Sequence, residues 1–100
     1  METKIVEQNE EKIVFIEGRV DTVTSADLAA AVTPIWSKPA ITLVFDCSQM
    51  EYISSSGLRV VLMAHKSVTT NGGRFIIRNL SKEVRSVFDI TGFSRILTIE

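Results

Sequence analysis

Three consecutive hydroxyls, Ser54, Ser55 and Ser56, stand directly before Gly57-Leu58, where a segment starting at Asp46 gives way to a helical pattern. A helix N-terminus presents unpaired N–H groups and a partial positive charge. It therefore favours a hydroxyl cap and stabilises an anion. Serines here can cap the helix or accept a charged group, and three of them exceed what capping needs. Other chemistries fit less well. A serine hydrolase would need a base beside its nucleophile, but His65 lies about 15 Å from Ser55 along the same helix, at ~1.5 Å per residue. There is no Gly-x-Ser-x-Gly to support one with Asp46 or Asp21. One histidine and one cysteine leave a metal site short of ligands. Asn71-Gly72-Gly73 reads as a turn, because no Walker lysine-serine pair makes it a phosphate cradle.

The elements that must position these hydroxyls follow from the apolar patterning. Ile5-Val6 and Ile13-Val14-Phe15-Ile16 read as two strands joined by a hairpin turn around Gln8-Asn9-Glu10, with Gly18 to Asp21 ending the second. Leu28, Val32, Ile35 and Trp36 share one face of a helix, with Trp36 as a core anchor. Thr24 or Ser25 is expected to cap that helix, and Pro34 to kink it or end it near Val32. Ile41–Phe45 is nearly continuously apolar, as a central strand covered on both faces should be. Asp46 closes it, and Gln49–Ser56 reads as a loop. Leu58–Val68 is a second helix, apolar on most sides and so deeply buried. Phe75-Ile76-Ile77 is a strand. A third helix is capped by Ser81 and stopped by Gly92, and Ile96–Ile99 is a last short strand. The order β-β-α-β-α-β-α-β implies an α/β fold: a four- to five-stranded, mostly parallel sheet with an antiparallel edge and helices mainly on one face.

Composition narrows the functional classes. The chain's 100 residues suit one domain, 1–100, able to bury roughly two-thirds of its unfolded surface. A hydrophobic fraction of 45% argues against disorder. A net charge of −1, with scattered basic residues, offers no footprint for nucleic acid or an anionic membrane. The single cysteine, Cys47, excludes an internal disulfide and reads as a small buried hydrophobe suited to a reducing compartment. No stretch reaches the ~20 apolar residues of a membrane span, and no signal-peptide core follows the polar N-terminus. The expected location is the cytoplasm.

Two separated motifs resemble the STAS family, of the anti-sigma factor antagonist type. The first is a strand ending in Val44-Phe45-Asp46, followed by Tyr52-Ile53-Ser54-Ser55-Ser56-Gly57-Leu58 at a helix start. The second is Gly18-Arg19-Val20-Asp21-Thr22, followed by Thr24-Ser25-Ala26 opening the first helix. The resemblance runs along essentially the whole chain. It implies a non-catalytic binding switch that holds an anti-sigma factor serine kinase when unphosphorylated and releases it when phosphorylated. The phosphoacceptor maps to Ser55, with Ser54 as the alternative. Asp21, Thr22, Ser54, Ser55, Ser56, Gly57 and Leu58 map to the partner-binding segment. The family commonly carries Asp where Ser54 stands, so one carboxylate beside the acceptor is missing here. No cofactor or metal is implied; ATP and magnesium would belong to the kinase, and a PP2C-type phosphatase is a further candidate partner. The alternative role is a phosphorylation-independent adaptor, such as a STAS subunit of a lipid ABC transporter or of a signalling complex.

Overall fold

The computed structural model describes residues 1–100. In chain order the elements are β1 (Glu2–Gln8), β2 (Glu11–Val20), α1 (Thr24–Trp36), β3 (Thr42–Ile53), α2 (Ser55–Thr70), β4 (Arg74–Arg78), α3 (Lys82–Ile90), a 3-10 turn (Phe93–Arg95) and β5 (Thr98–Ile99). The five strands form one sheet in the order β1-β2-β3-β4-β5. β1 and β2 are antiparallel, and every later neighbour pair is parallel. The opening hairpin turns on Asn9 and Glu10, both with positive φ (52° and 65°), the backbone twist that a two-residue hairpin loop requires. Each parallel crossover then steps the same way across the sheet. Crossovers of one hand that step one way lay their helices on one face.

The main core lies between that face and the helices. Val14, Ile16, Val20, Leu43, Phe45 and Ile77 of the sheet pack with Leu28, Val32, Val61, Ala64, Val68 and Phe88 of the helices. Phe45 is fully buried and meets the edge of Phe75 at 4.9 Å between ring centroids. The opposite face buries a smaller cluster, Ile13, Val44 and Ile76, with Phe15 packed against it. On that side Arg78 reaches Glu11 at 3.3 Å and Glu100 at 3.2 Å. The two carboxylates, Glu11 first by accepting hydrogen bonds from the guanidinium, hold it above its ordinary pKa.

Several elements differ from the sequence expectation. β3 does not end at Asp46 but continues to Ile53, absorbing most of the expected Gln49–Ser56 loop. Its pairing with β2 is irregular twice: Phe15 faces Asp46 while Glu17 faces Gln49, and Gly18 faces Met50 while Arg19 faces Tyr52. Each irregularity inserts an extra residue on β3, which turns the following side chains to the other face. Cys47, Met50 and Ile53 are therefore buried at every third position, a spacing that does not read as a strand. α1 passes through Pro34 and ends at Trp36. Pro34 removes the bond to the Ala30 carbonyl. Ala30 is exposed, so water can satisfy it, and Ile35 and Trp36 beyond the proline are buried. α2 begins at Ser55, a turn before its apolar run, and its buried face is narrower than expected because Met63 is 46% exposed. β5 is only Thr98–Ile99, because the 3-10 turn carries the chain through Ile96 and the Leu97 N–H donates to the Phe93 carbonyl. Ser81 caps α3 through the Val84 N–H, as expected, and Gly92 follows the helix with φ 81°.

Candidate functional site

The last rung of the β2–β3 ladder joins Val20 to Ile53. One residue on, the Ser54 N–H donates to the Val20 carbonyl at 2.8 Å. This bond sets the turn into α1 and the entry to α2 side by side at the carboxyl ends of two parallel strands. Sites in open α/β sheets favour that position.

Ser54 occupies the N-cap of α2. Its backbone is extended (φ −88°, ψ 174°), and its Oγ accepts from the Gly57 N–H at 3.1 Å. The Leu58 N–H donates to the Ser54 carbonyl at 2.9 Å, the first helical bond. Ser55 is the first helical residue and is exposed, and its hydroxyl makes no hydrogen bond within the chain; Ser56 is half-buried. The three serines are thus not equivalent. One is engaged as the cap, and the next presents its oxygen to solvent beside the positive end of the helix.

Gly57 is required by packing. A Cβ there would lie 2.7 Å from Ile53 Cγ1 and 2.8 Å from Val20 Cγ1. The missing side chain lets α2 press onto the ends of both strands. Gly57 and Leu58 are both buried, so Leu58 has no exposed side chain to offer a partner. These two residues position the serines rather than border them on the surface.

Asp21 organises the neighbouring turn. Its Oδ1 accepts from the N–H groups of Val23 at 3.0 Å and Thr24 at 2.9 Å. Thr24 Oγ1 accepts from the Asp21 N–H at 2.9 Å, and its single proton is shared between the Arg19 carbonyl at 2.8 Å and Asp21 Oδ1 at 3.0 Å. The helix start is therefore served by Asp21 and not, as the sequence suggested, by a cap from Thr24 or Ser25; the Ser25 hydroxyl donates instead to the Thr22 carbonyl. The bond from the Thr24 N–H, and then the Thr24 hydroxyl, hold the Asp21 carboxyl below its ordinary range. Thr22 is exposed next to it.

Four surface residues at this end were not assigned to the site from the sequence. Tyr52 is 39% exposed with the Arg19 guanidinium 4.2 Å above its ring centre. Val23 is exposed at the α1 turn, and Arg59 stands one helical turn beyond Ser55. Arg59 was legible from its spacing. The Arg19–Tyr52 stack depends on the shifted β2–β3 register and was not.

The other candidate groups lie apart from this constellation. Asp46 is buried, with Oδ1 accepting from the Ser48 N–H and Oδ2 from Asn79 Nδ2, each at 3.0 Å; it braces the strand irregularity. Burial, and then the Asp46 charge, push the Cys47 thiol up to about 12. His65 is half-buried near Phe75, with Nδ1 unpartnered. No group of three His, Cys, Asp or Glu side chains could hold a metal ion, and no helix is long and apolar enough to cross a membrane.

A model of the STAS domain family matches residues 2–100. The chain belongs to the STAS domain family. Among STAS relatives, it is similar to the anti-sigma-B factor antagonist of Bacillus subtilis, at 34% identity over 95 residues covering 94% of this chain and 86% of that protein. It is 30% identical to the anti-sigma-B factor antagonist of Listeria monocytogenes over 87 residues, 87% of this chain and 76% of that one. Its fold matches the unphosphorylated anti-sigma factor antagonist SpoIIAA with a TM-score of 0.82 at 21% identity, over 99% of this chain and 88% of the other. The phosphorylated form of the Bacillus SpoIIAA matches at 0.75 and 20% identity, over 99% and 91% of the two chains. The STAS fold is the single five-stranded mixed sheet with three helices described above.

Proposed function

We propose that this STAS domain is an anti-sigma factor antagonist whose binding is switched at Ser55. The observation that carries the site assignment is the division of labour at the start of α2. Ser54 Oγ is engaged by the Gly57 N–H, while the Ser55 hydroxyl is exposed and free. The unmodified surface formed by Ser54, Ser55 and Ser56 with Asp21 and Thr22 binds an anti-sigma factor that is itself a serine kinase. The Ser55 oxygen then takes the γ-phosphoryl group of the kinase's ATP, ADP leaves, and the hydroxyl proton passes to a base of the kinase. The chain catalyses nothing; it is substrate and ligand. A PP2C-type phosphatase returns it to the binding form, and the cycle runs in the cytoplasm.

The phosphate adds about −1.5 to −2 charges at a helix N-terminus. The helix dipole favours that charge, so the domain stays folded. The penalty falls on the partner, which would have to desolvate a dianion to pack there. The test is incubation of the protein with its anti-sigma factor kinase and Mg-ATP, followed by peptide mass spectrometry and binding measurements. One phosphate on Ser55 and weakened binding are expected. Modification confined to Ser54 would move the switch by one residue. Equal binding by modified and unmodified protein would refute the switch and favour a phosphorylation-independent adaptor.

A further inference from the structure

The exposed stripe of α2 runs Ser55, Arg59, Met63, Lys66 and Thr70, positions that follow one another along one side of a helix. The helix Ser55–Thr70 contains no Asp or Glu, although the whole chain carries a net charge of −1. Its outer face is therefore cationic, with an exposed thioether at Met63 between Arg59 and Lys66. Arg59 is exposed and takes no part in any of the chain's ion pairs, which are Lys12–Glu7, Arg78–Glu11, Arg78–Glu100 and Arg85–Asp89. Arg19, at the same end, is stacked on Tyr52.

From this arrangement we infer that Arg59 contacts an acidic surface of the partner, and that a phosphate on Ser55 captures Arg59 and withdraws it from that contact. The inference rests on the switch reading above and extends it. Side chains four apart on a helix stand about 5–6 Å apart at Cβ. A phosphoserine and an arginine at that separation can form a bidentate, charge-assisted pair. No carboxylate of α2 competes for the guanidinium. Phosphorylation then changes the docking face twice: it adds a dianion, and it neutralises the cation that an acidic partner needs.

The test uses phosphoserine installed at position 55 by codon suppression, so that no kinase step intervenes, in wild type, Arg59→Gln and Arg59→Lys. Affinity for the purified anti-sigma factor kinase is measured for each protein with and without the phosphate. Unmodified Arg59→Gln should bind about tenfold more weakly than wild type, and phosphorylation should weaken it further by a factor about tenfold smaller than in wild type. Arg59→Lys, which keeps the charge without the fork, should fall between the two. Phosphorus NMR of the free proteins gives a second readout. The phosphate's second pKa should lie about 0.5 lower with Arg59 than with Gln at that position. Two results would each overturn the inference while leaving the switch intact: unmodified Arg59→Gln binding like wild type, or identical phosphate pKa values in the two proteins. Loss of the phosphorylation effect in wild type itself would refute the switch reading instead.

Discussion

The division of labour between Ser54 and Ser55 makes a prediction about stability that needs no partner. Ser54→Ala removes the oxygen that accepts from the Gly57 N–H at 3.1 Å. Losing such a cap costs about 0.5–2 kcal/mol. Gly57 is buried beneath Ile53 and Val20, so water cannot readily replace the lost acceptor, and the cost should fall in the upper half of that range. Ser55→Ala removes an exposed hydroxyl with no internal bond and should change stability by no more than about 0.5 kcal/mol. Urea titrations and thermal melts of wild type and both variants measure the difference. A loss of about 1 kcal/mol lowers Tm by about 4–8 °C in a domain of this size. Ser54→Asp supplies a control, since aspartate caps equally well and complements the helix dipole; it should match or exceed wild type. An equal cost for Ser55→Ala and Ser54→Ala, or a Ser54→Asp variant less stable than wild type, would show that Ser54 is not the cap of α2.

Gly57→Ala should destabilise the domain by about 1–2 kcal/mol. Crowding against Val20 and Ile53 costs about 1–3 kcal/mol, and better helix propensity returns up to about 1 kcal/mol. Chemical denaturation should show a smaller loss in a Val20→Ala background, and a neutral Gly57→Ala would mean that the close approach is not limiting. Asp21 has its pKa lowered in the folded state, so the unfolded chain takes up its proton first as pH falls. Its contribution to stability is whole above the ordinary carboxylate range and declines below about pH 4; Tm measured against pH should therefore fall less steeply there for Asp21→Asn than for wild type. Cys47, buried and with its thiol raised to about 12, should resist alkylation at pH 8 until the protein unfolds. Rapid labelling of native protein would contradict its burial.

Much of this protein is determined by local pattern. The alternation of apolar runs with helical periodicity specifies an α/β chain, and the unbroken run Ile41–Phe45 marks the central strand, because a strand covered on both faces needs no polar side. Ser81 could be read as a cap because its partner, Val84, lies three residues away on the same helix. The hydroxyls before Gly57 were legible as a helix start for the same reason. Tertiary structure decided whatever depended on a neighbour distant in sequence. The second half of β3 is a strand only because β2 lies beside it, and two extra residues on β3 set its buried side chains at every third position, erasing the alternation that announces a strand. α1 runs past Pro34 because burial of Ile35 and Trp36 outweighs one missing backbone bond whose carbonyl faces water. Gly57 owes its identity to the ends of two strands, Ile53 of β3 and the distant Val20 of β2, and Leu58 turns inward because α2 packs on that sheet. The free hydroxyl of Ser55 has the same origin: with Gly57 fixed against the strand ends, its N–H falls to Ser54, and the next serine is left facing solvent.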